Sequence, residues 1–211
     1  MASFMFRSRR MILQFAIYLM VVTAINALVT VRPVQSQKDM FDLADLRYDE
    51  WILSPEDQDL QQSPSRAAFR AATVEITEER TKATPYLARL DDSSTTTSAV
   101  GAVELSFEEF EGVTDRNMLY VTDLVVAKDY RRQGIAQSIM KALEIAAQKQ
   151  QCECLLLHVK KDNLRALEFY REKLQYAEQS TTDIFDGVDL DRLSSNTNTA
   201  GQILLCKVLS Q

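Results

Sequence analysis

The stretch Tyr120–Gln137, YVTDLVVAKDYRRQGIAQ, decides how the rest of the chain reads. An apolar strand from Leu119 to Val126 runs through a polar turn into two arginines and a glycine that open a helix. The first amides of a helix have no partner within it and sit at the positive dipole end, so they suit an anion. Arg131 and Arg132 add charge there, and Gly134 lets backbone come close to a ligand. The stretch predicts a seat for pyrophosphate.

Downstream, Ile135, Ile139, Leu143 and Ala146 recur at helical spacing and form one stripe of a helix of roughly 18 residues. CECLLLHV is nearly continuous in apolar residues, as expected of a central strand covered on both faces. KKDN leads into a second helix, LRALEFYREKL. A short strand near Tyr176–Glu178, a polar loop from Ser180 to Gly201 and a closing strand QILLCKVL follow.

Upstream, AVGAVELSFEEF (Ala99–Phe110) alternates, with Val103, Leu105 and Phe107 on one side and Glu104, Ser106 and Glu108 on the other. YLARLDD reads as a further strand. Before it, SPSRAAFRAATVEITEER has the serine and proline of a helix start, with Phe69, Ala72 and Ile76 marking a buried face and Pro85 ending the helix. MFDLADLRYDEW reads as an opening strand or turn. The order predicts an α/β fold whose mixed, largely antiparallel central sheet is flanked by helices.

The 211 residues suit one domain plus an appendage. Residues 1–36 read as a targeting segment and residues 37–211 as the domain. The segment holds Arg7, Arg9, Arg10 and Arg32, no acid, and the uncharged run Met11–Val31. That pattern fits a cleaved signal peptide or an uncleaved anchor, and either predicts that the body is carried across a membrane. The net charge of −6 therefore conceals a more acidic body, which argues against general nucleic-acid binding. Cys152, Cys154 and Cys206 are too few for a disulfide framework or a thiolate zinc site, and with one histidine no metal centre is expected. The cysteines read as buried thiols on strands.

Five glycines form neither G-x-G-x-x-G nor a P-loop, so both nucleotide-binding readings fail. What remains is Arg131-Arg132-Gln133-Gly134-Ile135-Ala136 after an apolar strand, followed downstream by Asn163, Ala166, Phe169 and Tyr170. These two blocks resemble the GNAT superfamily of acyl-CoA-dependent N-acyltransferases, in the motifs R/Q-x-x-G-x-G/A and N-x-x-A-x-x-[FL]-Y. The likeness is greatest to bacterial protein N-terminal acetyltransferases and plastid members. Two departures stand out. Gln175-Tyr176 replaces a frequent Gly-Phe, and His158 stands where the N-terminal acetyltransferases place a glutamate.

The resemblance implies an acyl-CoA N-acyltransferase fold and acetyl-CoA as co-substrate, with a protein or small-molecule amine as acceptor. It implies that backbone of Leu124, Val125 and Val126 meets the pantetheine arm. The turn Arg131, Arg132, Gln133, Gly134, Ile135, Ala136 and Gln137 would surround the pyrophosphate. Asn163 would hold the coenzyme or the strand-to-helix turn. Tyr170 is the candidate general acid, and His158 and Glu104 compete as general base. The acidic loop 180–201 would border the acceptor. A CoA-binding module without turnover and a membrane-anchored interaction protein are the readings from other classes. Because acetyl-CoA is needed where the enzyme works, the leader suggests a plastid reached by the secretory route, or an endomembrane lumen. Cytosolic signal from a leader–fluorescent protein fusion would exclude both.

Overall fold

The computed structural model describes residues 22–23, 29–53, 63–79, 83–90, 99–107, 118–178 and 201–209. The strands are β1 (Val22–Thr23), β2 (Val29–Pro33), β3 (Ala83–Leu90), β4 (Ala99–Phe107), β5 (Met118–Val126), β6 (Cys154–Lys160), β7 (Ala177–Glu178) and β8 (Gln202–Val208). The helices are α1 (Gln37–Arg47), α2 (Arg66–Glu79), α3 (Ile135–Lys149) and α4 (Leu164–Glu168). The strands hydrogen-bond in the order β1-β2-β3-β4-β5-β6-β8-β7. β5 and β6 run parallel, while β1/β2, β2/β3, β6/β8 and β7/β8 are antiparallel. The expected mixed, mostly antiparallel sheet with flanking helices is present. Among the described residues no helix is long and apolar enough to cross a membrane. The leader before Val22 and the loop 180–200 lie outside the described residues.

The chain divides into two units, residues 1–104 with 123–146, and residues 105–122 with 147–211. In the first, β2 pairs with β3 from Val29↔Leu90 to Pro33↔Tyr86. Val29, Val31 and Pro33 are buried in alternation, so the sheet begins inside the stretch assigned to targeting. The segment expected as an opening strand or turn is instead α1. Ser36 and Asp39 form a reciprocal capping box at its start, which satisfies two amides that a strand would have paired elsewhere. Leu43 and Leu46 of α1 pack with Leu87, Ala102 and Val125.

The face expected to bury α2 is corrected as well. Ile76 is 49% exposed and Ala72 exposed, and only Thr73 is buried. Of the expected face only Phe69 is covered, half-buried with its ring edge-on to Tyr48 at 5.5 Å, and ion pairs add to it: Arg70 reaches Asp45 at 2.6 Å and Arg66 pairs with Asp49. Pro85 does not end the helix but lies within β3. The stripe of α3 is as expected, with Ile135, Ile139, Leu143 and Ala146 all buried. Ile135, Ile139 and Leu143 each contribute about 1.5–3 kcal/mol on burial, and Ala146 less. Gly101 of β4 permits this packing, because a Cβ there would stand 2.8 Å from Ile139 Cδ1 and 3.1 Å from the Val125 carbonyl.

In the second unit β6 pairs with β8 along its whole length, from Cys154↔Val208 to Lys160↔Gln202. Leu155, Leu156 and Leu205 are fully buried, as the continuous apolar run requires. Cys152, Cys154 and Cys206 are buried free thiols. The parallel ladder with β5 has three registered pairs, Met118↔Cys154, Leu119↔Leu155 and Tyr120↔Leu156.

Candidate active site

In the first unit, β5 is kinked at Asp123, whose φ of +56° is left-handed backbone. Leu124, Val125 and Val126 follow the kink, then the 3₁₀ turn Lys128–Tyr130. The turn closes on itself: Tyr130 N–H donates to Ala127 C=O at 2.8 Å, and Gln133 Nε2 to Asp129 C=O at 3.0 Å. Arg132 (φ +65°) and Gly134 (φ +82°) then take left-handed conformations, which reverse the chain into α3. Glycine adopts this freely, whereas an arginine there is strained by about 1–3 kcal/mol. Ser138 is the first amide to bond back, to Gly134 C=O at 2.9 Å. The amides of Ile135, Ala136 and Gln137 precede the helical ladder.

The two arginines of the turn differ. Arg131 is engaged: its Nε donates to Val126 C=O at 3.1 Å and its guanidinium pairs with Glu50. Arg132 has no carboxylate partner among the described residues, and it is exposed.

Glu104 does not stand on an open polar face as expected. It is 4% exposed and its carboxylate accepts from Arg47 Nη2 at 3.1 Å. The same guanidinium nitrogen donates to Asp123 at 3.1 Å, and the guanidinium lies 5.2 Å from the Trp51 ring centre. Alternation along β4 suggested exposure, but Gly101 to Leu105 is buried throughout, so both faces are covered. Glu104 is thus a partner in a buried ion cluster.

The second unit carries the other candidates. His158 on β6 is half-buried, and its Nδ1 shares a 2.6 Å hydrogen bond with Tyr120 Oη, the donor depending on the tautomer. Burial holds His158 below its ordinary pKa of 6.5. Tyr120 is a residue that motif reasoning missed. The register supplies the missing signal: Tyr120 opposes Leu156, and His158 is two residues further along on the same face.

Tyr170 lies in a π-helical turn, Phe169–Lys173, that continues α4. Such turns concentrate at functional sites. It is 9% exposed, and its ring lies edge-on to Phe169 and Tyr176 at 5.2 and 5.7 Å between centres. Burial pushes its phenol well above 10. Asn163 takes the second of its expected roles, since its Oδ1 accepts the Ala166 amide at 3.1 Å and caps α4. The departure Gln175-Tyr176 is accommodated. Gln175 adopts φ +62°, where glycine would be at ease, and Tyr176 is buried. Among the described residues no three His, Cys, Asp or Glu side chains are grouped to hold a metal.

The profile of the Acetyltransferase (GNAT) family matches residues 41–176, well over half of the chain. This chain belongs to that family. It is therefore an acyltransferase, and the fold agrees with solved GNAT structures. NAA60 of Arabidopsis thaliana, solved in complex with acetyl-CoA, is 14% identical, with a TM-score of 0.55 over 86% of this chain and 98% of that one. The NatC complex bound to Gag peptide and CoA contains a chain 18% identical, at 0.52 over 86% and 99%. FdhC, a nucleotide-linked sugar GNAT, is 13% identical, at 0.58 over 86% of both chains. At these identities the likeness is one of fold.

Proposed function

We propose that this GNAT acetyltransferase moves the acetyl group of acetyl-CoA onto a primary amine, a protein N-terminal α-amine or a lysine ε-amine. The observation that carries the coenzyme part is the turn Arg131–Gln137. Two left-handed residues, Arg132 with no carboxylate partner among the described residues, and three amides ahead of the helical ladder form a cradle suited to pyrophosphate. Backbone of Leu124–Val126 beyond the Asp123 kink would meet the pantetheine arm. NAA60 binds acetyl-CoA and NatC binds a peptide with CoA, which favours a peptide acceptor. FdhC, described as a nucleotide-linked sugar GNAT, makes a small amine the second reading.

In this reading the amine nitrogen bonds to the thioester carbon as the carbon–sulfur bond breaks. His158 takes a proton from the ammonium, directly or through water, Tyr170 gives one to the leaving thiolate, and the second proton shed by the acylated nitrogen restores the Tyr170 phenol. For His158 to accept at Nε2, its Nδ1–H must donate to Tyr120 Oη, which makes Tyr120 the residue that sets the tautomer.

Saturating acetyl-CoA is the first test. At 100 times Kd, binding stabilises by about 2.7 kcal/mol, which raises Tm by roughly 5–11 °C for a chain of this size. Absence of any shift would overturn the coenzyme reading. Thiol release with a peptide library against small amines then separates the two acceptor classes.

His158 gives a pH test. Its proton affinity is lowered by burial, so the neutral, accepting form prevails at pH 7 and is lost only as pH falls below 6.5. The parent should therefore show an acid limb in kcat below that value, absent from His158→Gln along with at least 90% of the rate. Superimposable profiles would remove His158 from the mechanism.

A further inference from the structure

α1 does not stop at Arg47 but rewinds into a π-helical turn, Tyr48–Ile52. Its wider winding places Arg47 and Glu50 so that they hold opposite ends of one stretch of backbone. Arg47 ties down Asp123 at the kink of β5. Glu50 ties down the coenzyme turn: Oε1 accepts the Lys128 amide at 2.6 Å, and Oε2 pairs with Arg131. The Glu50 side chain is only 8% exposed, whereas Arg131 is 50% exposed. Arg131 in turn closes a loop onto Val126 C=O. One buried carboxylate thus fixes both a backbone amide and the arginine that braces the turn.

This arrangement has two opposing consequences for an anionic ligand. Glu50 adds negative charge near the turn and occupies one of its two arginines, which works against a phosphate. It also fixes the turn before ligand arrives, so less ordering entropy is lost on binding. The charge of Glu50 is cancelled by Arg131 at contact distance, so its repulsion of a third group is dipolar and short-ranged. The shape it imposes acts on every amide of the turn. The second effect should win.

We propose that Glu50 is a positioning residue for coenzyme binding, acting through Arg131 and the Lys128 amide, and that Arg132 rather than Arg131 is the cation that meets the pyrophosphate. This rests on the coenzyme reading of the turn. The test is calorimetric titration of CoA into the full chain at low and high salt, for the parent and for Glu50→Gln, Arg131→Gln, their double variant and Arg132→Gln. Glu50→Gln and Arg131→Gln should each raise Kd about tenfold, and the double variant by less than the product of the two, because they share the Arg131–Glu50 contact. The double variant should leave the salt dependence of Kd unchanged, because the pair it removes is neutral, whereas Arg132→Gln should flatten it.

Tighter binding by Glu50→Gln would mean that Glu50 only competes with phosphate, and would overturn the proposal. So would an unchanged Kd, or losses that add in the double variant. Arg131→Gln reads the same contact from the exposed side, so the test survives poor folding of Glu50→Gln. A parent chain that does not bind CoA sinks the coenzyme reading and this inference together. A binding parent with an indifferent Glu50→Gln sinks this inference alone.

Discussion

Arg47→Ala is expected to cost about 3–5 kcal/mol of stability, the range found when one partner of a buried ion pair is removed. For a chain of this size that lowers Tm by roughly 6–20 °C. The basis is burial: the Arg47 and Glu104 side chains are 7% and 5% exposed. Without the guanidinium, the Glu104 carboxylate loses its Arg47 partner in a desolvated place, which is costly. Asp123, 35% exposed, can return to water and adds less. The double variant Arg47→Met with Glu104→Leu should recover most of the loss, since a well-packed apolar pair often matches a buried ionic one. Thermal and urea melts check this, and a loss under about 1 kcal/mol for Arg47→Ala would show that the cluster is solvated in solution.

The same cluster shows where sequence reading stops. Periodicity made β4 visible and put Glu104 opposite Val103 and Leu105, but alternation reports a polar face only when that face meets water. Here the covering side chain is Arg47, 57 residues away in sequence. No local pattern announces such a pair. Nor did any pattern announce α1, whose apolar residues are interrupted by Asp39, Asp42 and Asp45. Those acids have arginine partners on other elements, Arg32 and Arg89 from strands and Arg66 and Arg70 from α2 or its edge.

What was legible depended on close spacing. The stripe of α3 and the apolar run of β6 follow from local periods. The coenzyme turn was legible because left-handed backbone leaves a trace in glycine, and Gly134 carries it. Arg132 and Gln175 share that conformation without any such trace. Tyr120 and His158 are 38 residues apart and meet only through a parallel register. Glu50 reaches Lys128 and Arg131 because a π turn shifts its direction, and π turns have no composition signature.

Tyr170→Phe is expected to lower kcat by about 10²–10⁴, the usual contribution of a positioned general acid, with Kd for acetyl-CoA unchanged within about twofold. Phenylalanine keeps the edge-on contacts with Phe169 and Tyr176, and Tyr176 N–H still donates to the Tyr170 backbone carbonyl. Stability should therefore fall by no more than about 1 kcal/mol. Burial raises the phenol above 10, so Tyr170 is neutral across the working range and kcat should show no basic limb from this group below pH 10. Taken alone, a more weakly acidic phenol is a worse donor to a thiolate with a reference pKa of about 8.5. Yet a thiolate leaving into the same desolvated surroundings is raised too, and only the difference between the two groups sets the driving force. This gives a readout that packing alone would not move. With a donor thioester whose thiol is more acidic, the leaving group needs less protonation, so the defect of Tyr170→Phe should shrink. A defect independent of the leaving group would assign Tyr170 to packing, and a kcat within about threefold of the parent would remove it from the chemistry.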